Sequence, residues 1–205
     1  MNISIIVTHR LFTGAGQDLY KYFKNKGMPV LLVEHSFTSY PDRKTTFSIF
    51  DGKKEIKNSG INYRFLPDLA CYIKDFIYSL SAAVRFPFRY HIYFGCGGLN
   101  VISGLILRLF RRVDKVVFYT IDFMPNRFHN RFLNRLYLLI DKICVIFADR
   151  TWNLSSRMSE GREKYNNMAQ EELKRQRVVP IGIWHDELQE QRKRIINEKI
   201  LVFCG

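Results

Sequence analysis

The amino-acid sequence predicts an α/β fold: a doubly wound, mostly parallel sheet, followed by the first strand of a second domain. Three observations predict this fold. Short β-branched apolar runs alternate with longer segments whose apolar residues recur at helical spacing. Turns that contain glycine follow several of the runs, as they do in βαβ units. Hydrophobic residues make up 47% of the 205 residues, which is enough to bury a core on both faces of a sheet.

The first βαβ unit covers residues 3–33. Residues 3–7 form a short apolar run that is typical of a buried parallel strand. Residues 18–26 carry apolar and aromatic side chains at helical spacing, and Gly27 and Pro29 end that helix. Residues 30–33 are the second buried strand. Because a helix joins the two strands, the unit predicts parallel pairing with a right-handed crossover.

The remaining segments continue this alternation. Residues 40–60 are polar, and we expect a weak strand and turns around Asp51 and Gly52. The elements expected after them are a strand over 61–65, a helix over 69–84, a strand over 91–94, a helix over 99–110, a strand over 115–120, a helix over 130–148, a strand over 151–154, a polar helix from Ser155 or Ser156 to about residue 176, and a strand over 178–181. The apolar side chains of the helix over 69–84 trace one face: Leu69, Tyr72, Ile73, Phe76, Ile77, Leu80, Ala83 and Val84.

The end of the chain predicts a domain boundary. Residues 1–184 form the α/β domain in this interpretation, and residues 185–198 are a charge-dense connector with little apolar content. Residues 199–205 then read as the first strand of a second domain. In a βα repeat such a strand is followed by a turn and a helix, so we expect the chain to be part of a larger protein.

The charge balance is strongly basic, with 32 Lys and Arg against 19 Asp and Glu and a net charge of +13. Nucleic acid, anionic lipid headgroups and phosphorylated substrates are the partners that such a charge suits. The four cysteines are scattered without a C-x-x-C pair, which argues against a disulfide framework or a zinc site and favours a reducing cytosol. No secretory signal is evident, and the apolar stretch over 99–110 is too short to span a bilayer.

A glycine turn follows the first strand and is the first candidate site. In open parallel sheets, ligands bind beyond the carboxyl ends of the strands. Gly14, Ala15 and Gly16 lie there, at the start of a helix whose backbone amides suit a phosphate. The alternative is a tight turn without a ligand.

A glycine run after the strand at 91–94 is the second candidate. Gly97 and Gly98, followed by Asn100, offer little side-chain bulk, so a ligand can approach the backbone closely. A turn squeezed beneath a neighbouring loop is the alternative.

Polar side chains at the ends of other strands form the third candidate. Asp122 follows the strand over 115–120, with Arg127 and His129 behind it, and its carboxylate can act as a base or an orienting group. Alternatively, Asp122 caps the next helix or pairs with Arg127. His9 and His35 follow the first and second strands, so both are expected at the same edge.

Together these features resemble the N-terminal half of a GT-B glycosyltransferase of glycosyltransferase family 4. The resemblance covers nearly the whole chain, in the right order. The residues that carry it are the strand over 3–7, Gly14-Ala15-Gly16, Lys26-Gly27-Met28-Pro29-Val30, Tyr119-Thr120-Ile121-Asp122, Ala148-Asp149-Arg150-Thr151-Trp152-Asn153-Leu154-Ser155, Val178-Val179-Pro180-Ile181-Gly182-Ile183 and Ile200-Leu201-Val202-Phe203-Cys204-Gly205.

The resemblance implies a Rossmann-like domain that mainly holds the acceptor, while the C-terminal half grips most of the nucleotide. Gly14 and Gly16, with Ala15 between them, match the loop that approaches the donor phosphates. Asp122 matches the aspartate of the family's frequent His-Asp pair, but Ile121 stands where many relatives carry histidine. Either Asp122 takes that role or the chemistry is altered.

Site roles follow from the strand-end positions of these residues together with this resemblance. We assign Asp122 and His9 as catalytic, and expect no cofactor and no metal. The residues assigned to the acceptor side are Gly97, Gly98, Asn100 and Arg127.

The leading hypothesis is a glycosyltransferase that moves a sugar from a nucleotide-sugar donor to a glycolipid or polysaccharide-precursor acceptor. This chain would supply the acceptor-side half and not turn over by itself. We expect a cytoplasmic protein, peripheral on the inner membrane face, with an anionic membrane surface as a partner and no nucleic acid. Seven arginines border apolar or aromatic residues and suit such a surface: Arg85, Arg89, Arg108, Arg111, Arg112, Arg131 and Arg135.

Two other classes of protein stay open. One is a basic module that binds nucleic acid or anionic lipid without catalysis, although no helix-turn-helix, RNA-recognition or zinc motif is present. The other is a dinucleotide oxidoreductase, with Glu34 in the ribose position. This class is weaker because Leu19 stands where the third glycine of the dinucleotide fingerprint belongs.

Overall fold

Eight strands form one sheet in the part of the chain that the computed structural model describes, residues 3–10, 14–36, 44–60, 67–86, 88–182 and 184. The strands are β1 (Ile3–His9), β2 (Val30–His35), β3 (Thr46–Phe50), β4 (Glu55–Ser59), β5 (Tyr90–Cys96), β6 (Val113–Thr120), β7 (Arg150–Asn153) and β8 (Gln176–Val178). Their spatial order is β4-β3-β2-β1-β5-β6-β7-β8, and every neighbouring pair is parallel except the two that β3 makes. The predicted mostly parallel sheet is confirmed.

Helices cover both faces of this sheet, as the doubly wound prediction requires. They are α1 (Ala15–Asn25), α2 (Asp68–Arg85), α3 (Gly98–Leu109), α4 (Arg131–Phe147), α5 (Arg157–Asn166) and α6 (Gln170–Leu173). In β1, Ile5 and Val7 point into the core beneath α2, α3 and α4, while Ile6 points to the opposite face and packs with Tyr20 and Phe23 of α1. None of the described helices is long and apolar enough to cross a membrane.

The polar interlude forms a β-hairpin that extends the sheet. β3 and β4 are antiparallel, and the Asp51 carboxylate accepts hydrogen bonds at 2.8 Å from the backbone amides of both Lys53 and Lys54. Gly52 has a φ of +105°, which glycine adopts without strain. The turn expected at Asp51 and Gly52 is thus confirmed, with a strand on each side of it instead of one.

The prediction of a single polar helix from Ser155 or Ser156 to about residue 176 is wrong, because the structure has two separate helices there, α5 and α6. Asn167 ends α5 in the left-handed conformation, with a φ of +46°. Asparagine tolerates this conformation better than most residues. The break turns Met168 inward, where it is only 3% exposed in the core beneath α4.

The face of α2 that packs on the sheet also differs from the apolar stripe in the sequence. Ile73 and Ile77 are each 56% exposed, whereas Asp75 and Ser79 are buried. The buried side of α2 includes the small residues Ala82 and Ala83 but also ionisable groups, which an apolar pattern cannot reveal.

Several expectations lie outside the described residues: the strand over 61–65, the connector over 185–198 and the strand over 199–205. The domain boundaries therefore stay predictions. Cys71, Cys96 and Cys144 are buried thiols, as expected of small apolar side chains, and Cys204 lies outside the described residues.

A buried arginine ties the last third of the domain together. The Arg162 side chain of α5 is fully buried and binds Asp141 of α4 through two parallel hydrogen bonds, at 2.8 Å from Nε and 2.9 Å from Nη2. Its Nη1 donates to Asn153 of β7 at 2.8 Å and to Gln176 of β8 at 3.0 Å. One guanidinium thereby links two helices and two strands.

Replacing Arg162 with alanine is expected to lower the free energy of unfolding by about 3–5 kcal/mol, because it leaves the buried Asp141 carboxylate without its cation. Arg157→Ala is the matched control, since Arg157 is on the same helix, 87% exposed, and paired with Glu160. It is expected to change stability by about 0.5 kcal/mol or less. Urea denaturation measures both, and equal effects would contradict the role given to Arg162.

Candidate active site at the carboxyl edge of the sheet

The strand order changes direction between β1 and β5, and this is where an open α/β sheet is expected to form its ligand crevice. β1 lies between β2 and β5, and the chain leaves β1 towards α1 on one face but leaves β5 towards α3 on the other. Because these connections diverge, the carboxyl ends of β1 and β5 form the edge at which open α/β sheets bind ligands. His9 ends β1, and Gly97 directly follows β5.

The glycine turn brings the start of α1 to this crevice. Gly16 is buried, and a Cβ there would lie 2.7 Å from the side chain of Thr8, so glycine allows α1 to pack directly on β1. Ala15 packs with Cys96 and Tyr119 at the ends of β5 and β6. The first amides of α1 are not used within the helix, and they point along its axis towards the crevice. Gly14 has an extended backbone that any residue adopts.

Three of the predicted acceptor-side residues follow β5, and among them Gly97 faces open space. Gly97 has a φ of +97°, and no atom lies within 4 Å of the position its Cβ would take. A Cβ on Gly98 would lie 2.8 Å from Ile140, so this glycine serves the packing of α3 on α4. Asn100 is buried and donates at 2.7 Å to the carbonyl of Cys96, which closes the end of β5.

Asp122 lies exposed just beyond β6. Its carboxylate accepts a hydrogen bond at 2.8 Å from Arg127 Nη1, and Arg127 also lies 5.5 Å from the ring centre of Tyr137. Asn130 caps α4 instead, because its side chain accepts from the amides of residues 132 and 133. Of the two structural roles left open for Asp122, the ion pair with Arg127 is therefore the one observed.

His9 stands over a buried polar cluster. Its Nε2 lies 3.9 Å from Asp75 Oδ2, and about a quarter of its side chain is exposed. Asp75 Oδ1 lies 2.9 Å from the ammonium of Lys74 and 3.3 Å from His35 Nδ1. His35 is fully buried, and its Nε2 lies 2.8 Å from the hydroxyl of Ser79.

The electrostatics of the cluster keep both imidazoles neutral at pH 7. Burial, reinforced by the cations of Lys74 and Arg127, lowers the pKa of His9 to about 4. Burial, with His9 and Lys74 beside it, lowers the pKa of His35 well below its usual value. Burial raises the pKa of Asp75, and Lys74 opposes that rise. His9 therefore offers an uncharged ring to the crevice.

Lys74, Asp75 and Ser79 were not recognised in the sequence as site residues. They lie on α2, and the apolar stripe in the sequence of this helix is on the opposite side. Their partners His9 and His35 are on strands far away in the chain. The available signal was the spacing of Cys71, Asp75 and Ser79 at every fourth residue, which places them on one face of the helix.

Glu34, the ribose-position candidate of the oxidoreductase hypothesis, is held inside the fold. Its carboxylate accepts from Gln17 Nε2 at 2.9 Å and from the Thr46 hydroxyl at 3.5 Å. Gln17 also donates to the carbonyl of His9 at 2.9 Å. These bonds fix the start of α1 against the ends of β1 and β2, so the geometry favours a positioning role for Glu34.

The chain returns to this edge after β8. Val179 donates its amide to the Asn153 carbonyl at 2.7 Å. Trp184 reaches α1, where its indole Nε1 donates to Asp18 at 3.2 Å and its ring lies 4.7 Å from the ammonium of Lys21. After β8 the chain thus contacts β7 through Val179 and the first turns of α1 through Trp184.

Comparisons with known proteins give a structural likeness without a sequence match. No known protein family matches the chain, and no curated protein matches its sequence. Among solved structures, the chain is similar to the catalytic domain of starch synthase IV from Arabidopsis thaliana bound to ADP and acarbose, with a TM-score of 0.55 and 10% sequence identity. The match covers 91% of this chain and 52% of the starch synthase chain, so this chain spans about half of that length.

This likeness shows the fold alone: an α/β domain that matches a Rossmann-like domain of the GT-B fold. The GT-B part of the sequence-based resemblance is confirmed, while membership of family 4 stays a prediction.

The open position of Gly97 gives a test of its backbone. Gly97→Ala is expected to lower the free energy of unfolding by about 1–3 kcal/mol, because a φ of +97° with a ψ of 150° is a backbone region that essentially only glycine adopts. Gly182→Ala is the control, since a Cβ at Gly182 also meets no atom within 4 Å and its φ is not in that region. Thermal and urea denaturation should show little change in stability for the control. An unchanged stability of Gly97→Ala would contradict the backbone strain expected for alanine at this position.

The low pKa of His9 predicts a loss of stability in acid. An unfolded chain takes up a proton on His9 near pH 6.5, but the folded protein does so only near pH 4. The contribution of the neutral His9 to the free energy of unfolding is therefore complete above pH 6.5. It falls by about 1–3 kcal/mol as the pH drops towards 4. His9→Gln should flatten the urea-denaturation profile in this window. Identical profiles for the wild type and His9→Gln would refute the prediction.

Proposed function

We propose that this chain is the acceptor-side half of a family 4 type glycosyltransferase, which transfers a sugar from a nucleotide-sugar donor to a glycolipid or polysaccharide-precursor acceptor. The observation that carries the proposal is the neutral His9 imidazole at the crevice of a GT-B type domain, backed by the buried Asp75 and Lys74. The starch synthase with the similar fold was solved with ADP and acarbose, which is consistent with a nucleotide-sugar donor and a glycan acceptor.

The donor phosphates are proposed to approach the first turn of α1. The helix amides at Gly14, Ala15 and Gly16 and the positive end of the helix dipole favour an anion there. Gly97 leaves the opposite wall of the crevice without a side chain, so a phosphate or sugar can come close to the backbone. The cations of Lys74 and Arg127, which depress the pKa of His9, add positive potential to the same edge.

His9 is proposed to contact the acceptor hydroxyl that attacks the sugar. Ile121 follows β6, where the family often has histidine, and its side chain can neither accept a proton nor align a hydroxyl. A ring with a pKa of about 4 is a weak base at neutral pH but a good hydrogen-bond acceptor, so its main role is to orient the hydroxyl. Asp75 Oδ2 lies 3.9 Å from His9 Nε2, beyond hydrogen-bond distance, so Asp75 is proposed to influence the ring through its charge.

Asp122 is the second proposed catalytic residue. Its carboxylate is about half exposed and its ion pair with Arg127 lies at the surface, where such a pair is worth about 1 kcal/mol or less. A sugar hydroxyl can therefore replace Arg127 as the partner of Asp122 at little cost. In that arrangement Asp122 accepts the proton, while Arg127 turns towards an anionic group of the donor or acceptor.

The proposed acceptors also suggest where the protein works. A lipid-linked acceptor is presented at a membrane surface and a nucleotide sugar is drawn from the cytoplasm. We therefore propose a cytoplasmic protein that is peripheral on the inner membrane face, in keeping with its excess of basic residues.

Substitutions in the full-length protein test the assignment. His9→Asn and Asp122→Asn are each expected to lower kcat by about 100-fold or more, because each removes a contact to the reacting hydroxyl. His91→Asn is the matched control, since this ring is 43% exposed beside Asp114 at the amino end of β5. Transfer is measured with radiolabelled nucleotide sugars against membrane extracts and soluble glycans.

The two variants also distinguish the catalytic residues from each other. A folded His9→Asn protein with full activity would remove His9 from the reaction, and the same result for Asp122→Asn would remove Asp122. The 205-residue chain by itself is expected to transfer no sugar, because the residues that grip most of the nucleotide are expected elsewhere in the longer protein. Turnover by this chain alone would contradict the half-enzyme proposal.

A further inference from the structure

The outer edge of β4 points to a binding function apart from the crevice. We propose that β4 pairs with an acidic, extended segment of another protein, which adds one strand to the sheet. β4 is the last strand at one end of the sheet, and its residues from Ile56 to Ser59 are exposed. The inference does not rest on the proposed function, because this edge lies three strands away from β1.

The backbone of β4 presents a row of donors and acceptors to solvent. Gly60 donates its amide to the Thr45 carbonyl at 2.8 Å, and hydrogen-bonded pairs alternate along an antiparallel ladder. The amides and carbonyls of Ile56 and Asn58 therefore also face β3. Within the described part of the chain, no strand pairs with the other side of β4. The residues whose backbone groups face that side are Glu55, Lys57 and Ser59.

A groove beside this edge has room for side chains of an added strand. It has a volume of about 460 Å³ and lies between the β3–β4 hairpin and α2. The rings of Phe47 and Tyr78 stack along it with their centres 6.0 Å apart, and Phe86 and Arg85 line its far end. Asn58 lies opposite Phe47 in register, so its side of β4 faces the groove. Alternate side chains of an added strand therefore enter the groove, where apolar groups fit.

The charges at this edge favour an acidic segment. Lys53 and Lys54 are exposed in the turn, and Lys57 is 73% exposed on β4. The acid among them, Glu55, lies 3.4 Å from Lys57 but is also bound by Lys24 of α1. Its one negative charge is thus shared between two lysines, and the edge as a whole stays positive. Carboxylates on the added strand would offset this charge.

An acidic peptide fits this edge better than other occupants. A second copy of this chain would bring Lys53, Lys54 and Lys57 against another basic β4, and lysines on edge strands oppose such self-pairing. Nucleic acid would contact the lysines but leave the backbone row and the groove without partners. Strand addition uses all three features, since main-chain hydrogen bonds give affinity and side-chain pockets give specificity.

Peptide binding to the purified protein tests this proposal. The probe is a fluorescently labelled eight-residue peptide of alternating glutamate and valine, with both ends blocked, measured by fluorescence anisotropy at neutral pH. It should bind saturably and lose affinity as salt rises. A peptide of alternating lysine and valine should bind much more weakly. Absent binding of the glutamate peptide, or equal binding of the two peptides, would overturn the proposal.

Methylated peptides test the backbone pairing without any change in the protein. Alternate amides of a strand point to opposite edges, so N-methylation at the glutamates blocks one edge and N-methylation at the valines blocks the other. An antiparallel added strand uses the glutamate amides and a parallel one uses the valine amides. One methylated peptide should therefore bind about 10-fold or more weakly than the other. Equal affinities of the two methylated peptides would exclude strand addition.

Substitutions on β4 locate the binding site. Ser59→Pro removes an amide that faces away from β3, which an edge strand tolerates, and should weaken binding about 10-fold. K53Q/K57Q should weaken it by about 5–10-fold at low salt. K115Q/K164Q is the matched control, since it removes two exposed lysines from β6 and α5, and it should bind like the wild type. Circular dichroism should show all variants folded.

Several results would contradict this assignment of the edge. Equal losses in K53Q/K57Q and its control would mean that the peptide responds only to net charge. A concentration-dependent dimer that Ser59→Pro abolishes would assign the edge to a second copy of the chain. Duplex DNA that binds more tightly than the glutamate peptide, and that K53Q/K57Q releases, would assign the lysines to nucleic acid.

Discussion

The pairing of β1 with β5 is the constraint on which the candidate site depends. It sets Val7 beside Gly95, two residues before each strand reaches His9 and Gly97. A Cβ on Gly95 would lie 2.7–2.9 Å from Val101, so glycine at this point lets α3 begin directly against the end of β5. The same pairing sends α1 and α3 to opposite faces. A crevice, a helix start and a histidine therefore meet at one place through backbone geometry alone.

The order of strands and helices was predictable from the sequence, because buried parallel strands and amphipathic helices carry strong periodic signals. The site was predictable only where strand ends or glycines marked it, as at His9, Gly97 and Asp122. Lys74 and Asp75 were missed because their burial depends on His9 and His35, which only the folded sheet brings near α2. The break between α5 and α6 was missed because it depends on one left-handed residue, Asn167.

The positive charge of the domain divides into two populations with different surroundings. At the carboxyl edge, Lys74 and Arg127 are each paired with a carboxylate, which limits the net charge while keeping donors near His9. On α4, Arg131 and Arg135 pair with no described acid and border exposed phenylalanine and leucine. The first population suits a small ligand held in a fixed geometry.

The path of the segment over 179–184 has a mechanical consequence. Residues 179–182 follow β8, and the Trp184 indole donates to Asp18 while its ring lies 4.7 Å from the ammonium of Lys21. A displacement of Trp184 therefore acts directly on the first turns of α1. The same turns are held to the sheet by Gly16 against Thr8, by Ala15 against Cys96 and Tyr119, and by the bonds of Gln17 to His9 and Glu34. Movement of Trp184 would thus change the direction of the first amides of α1 at the carboxyl edge of the sheet.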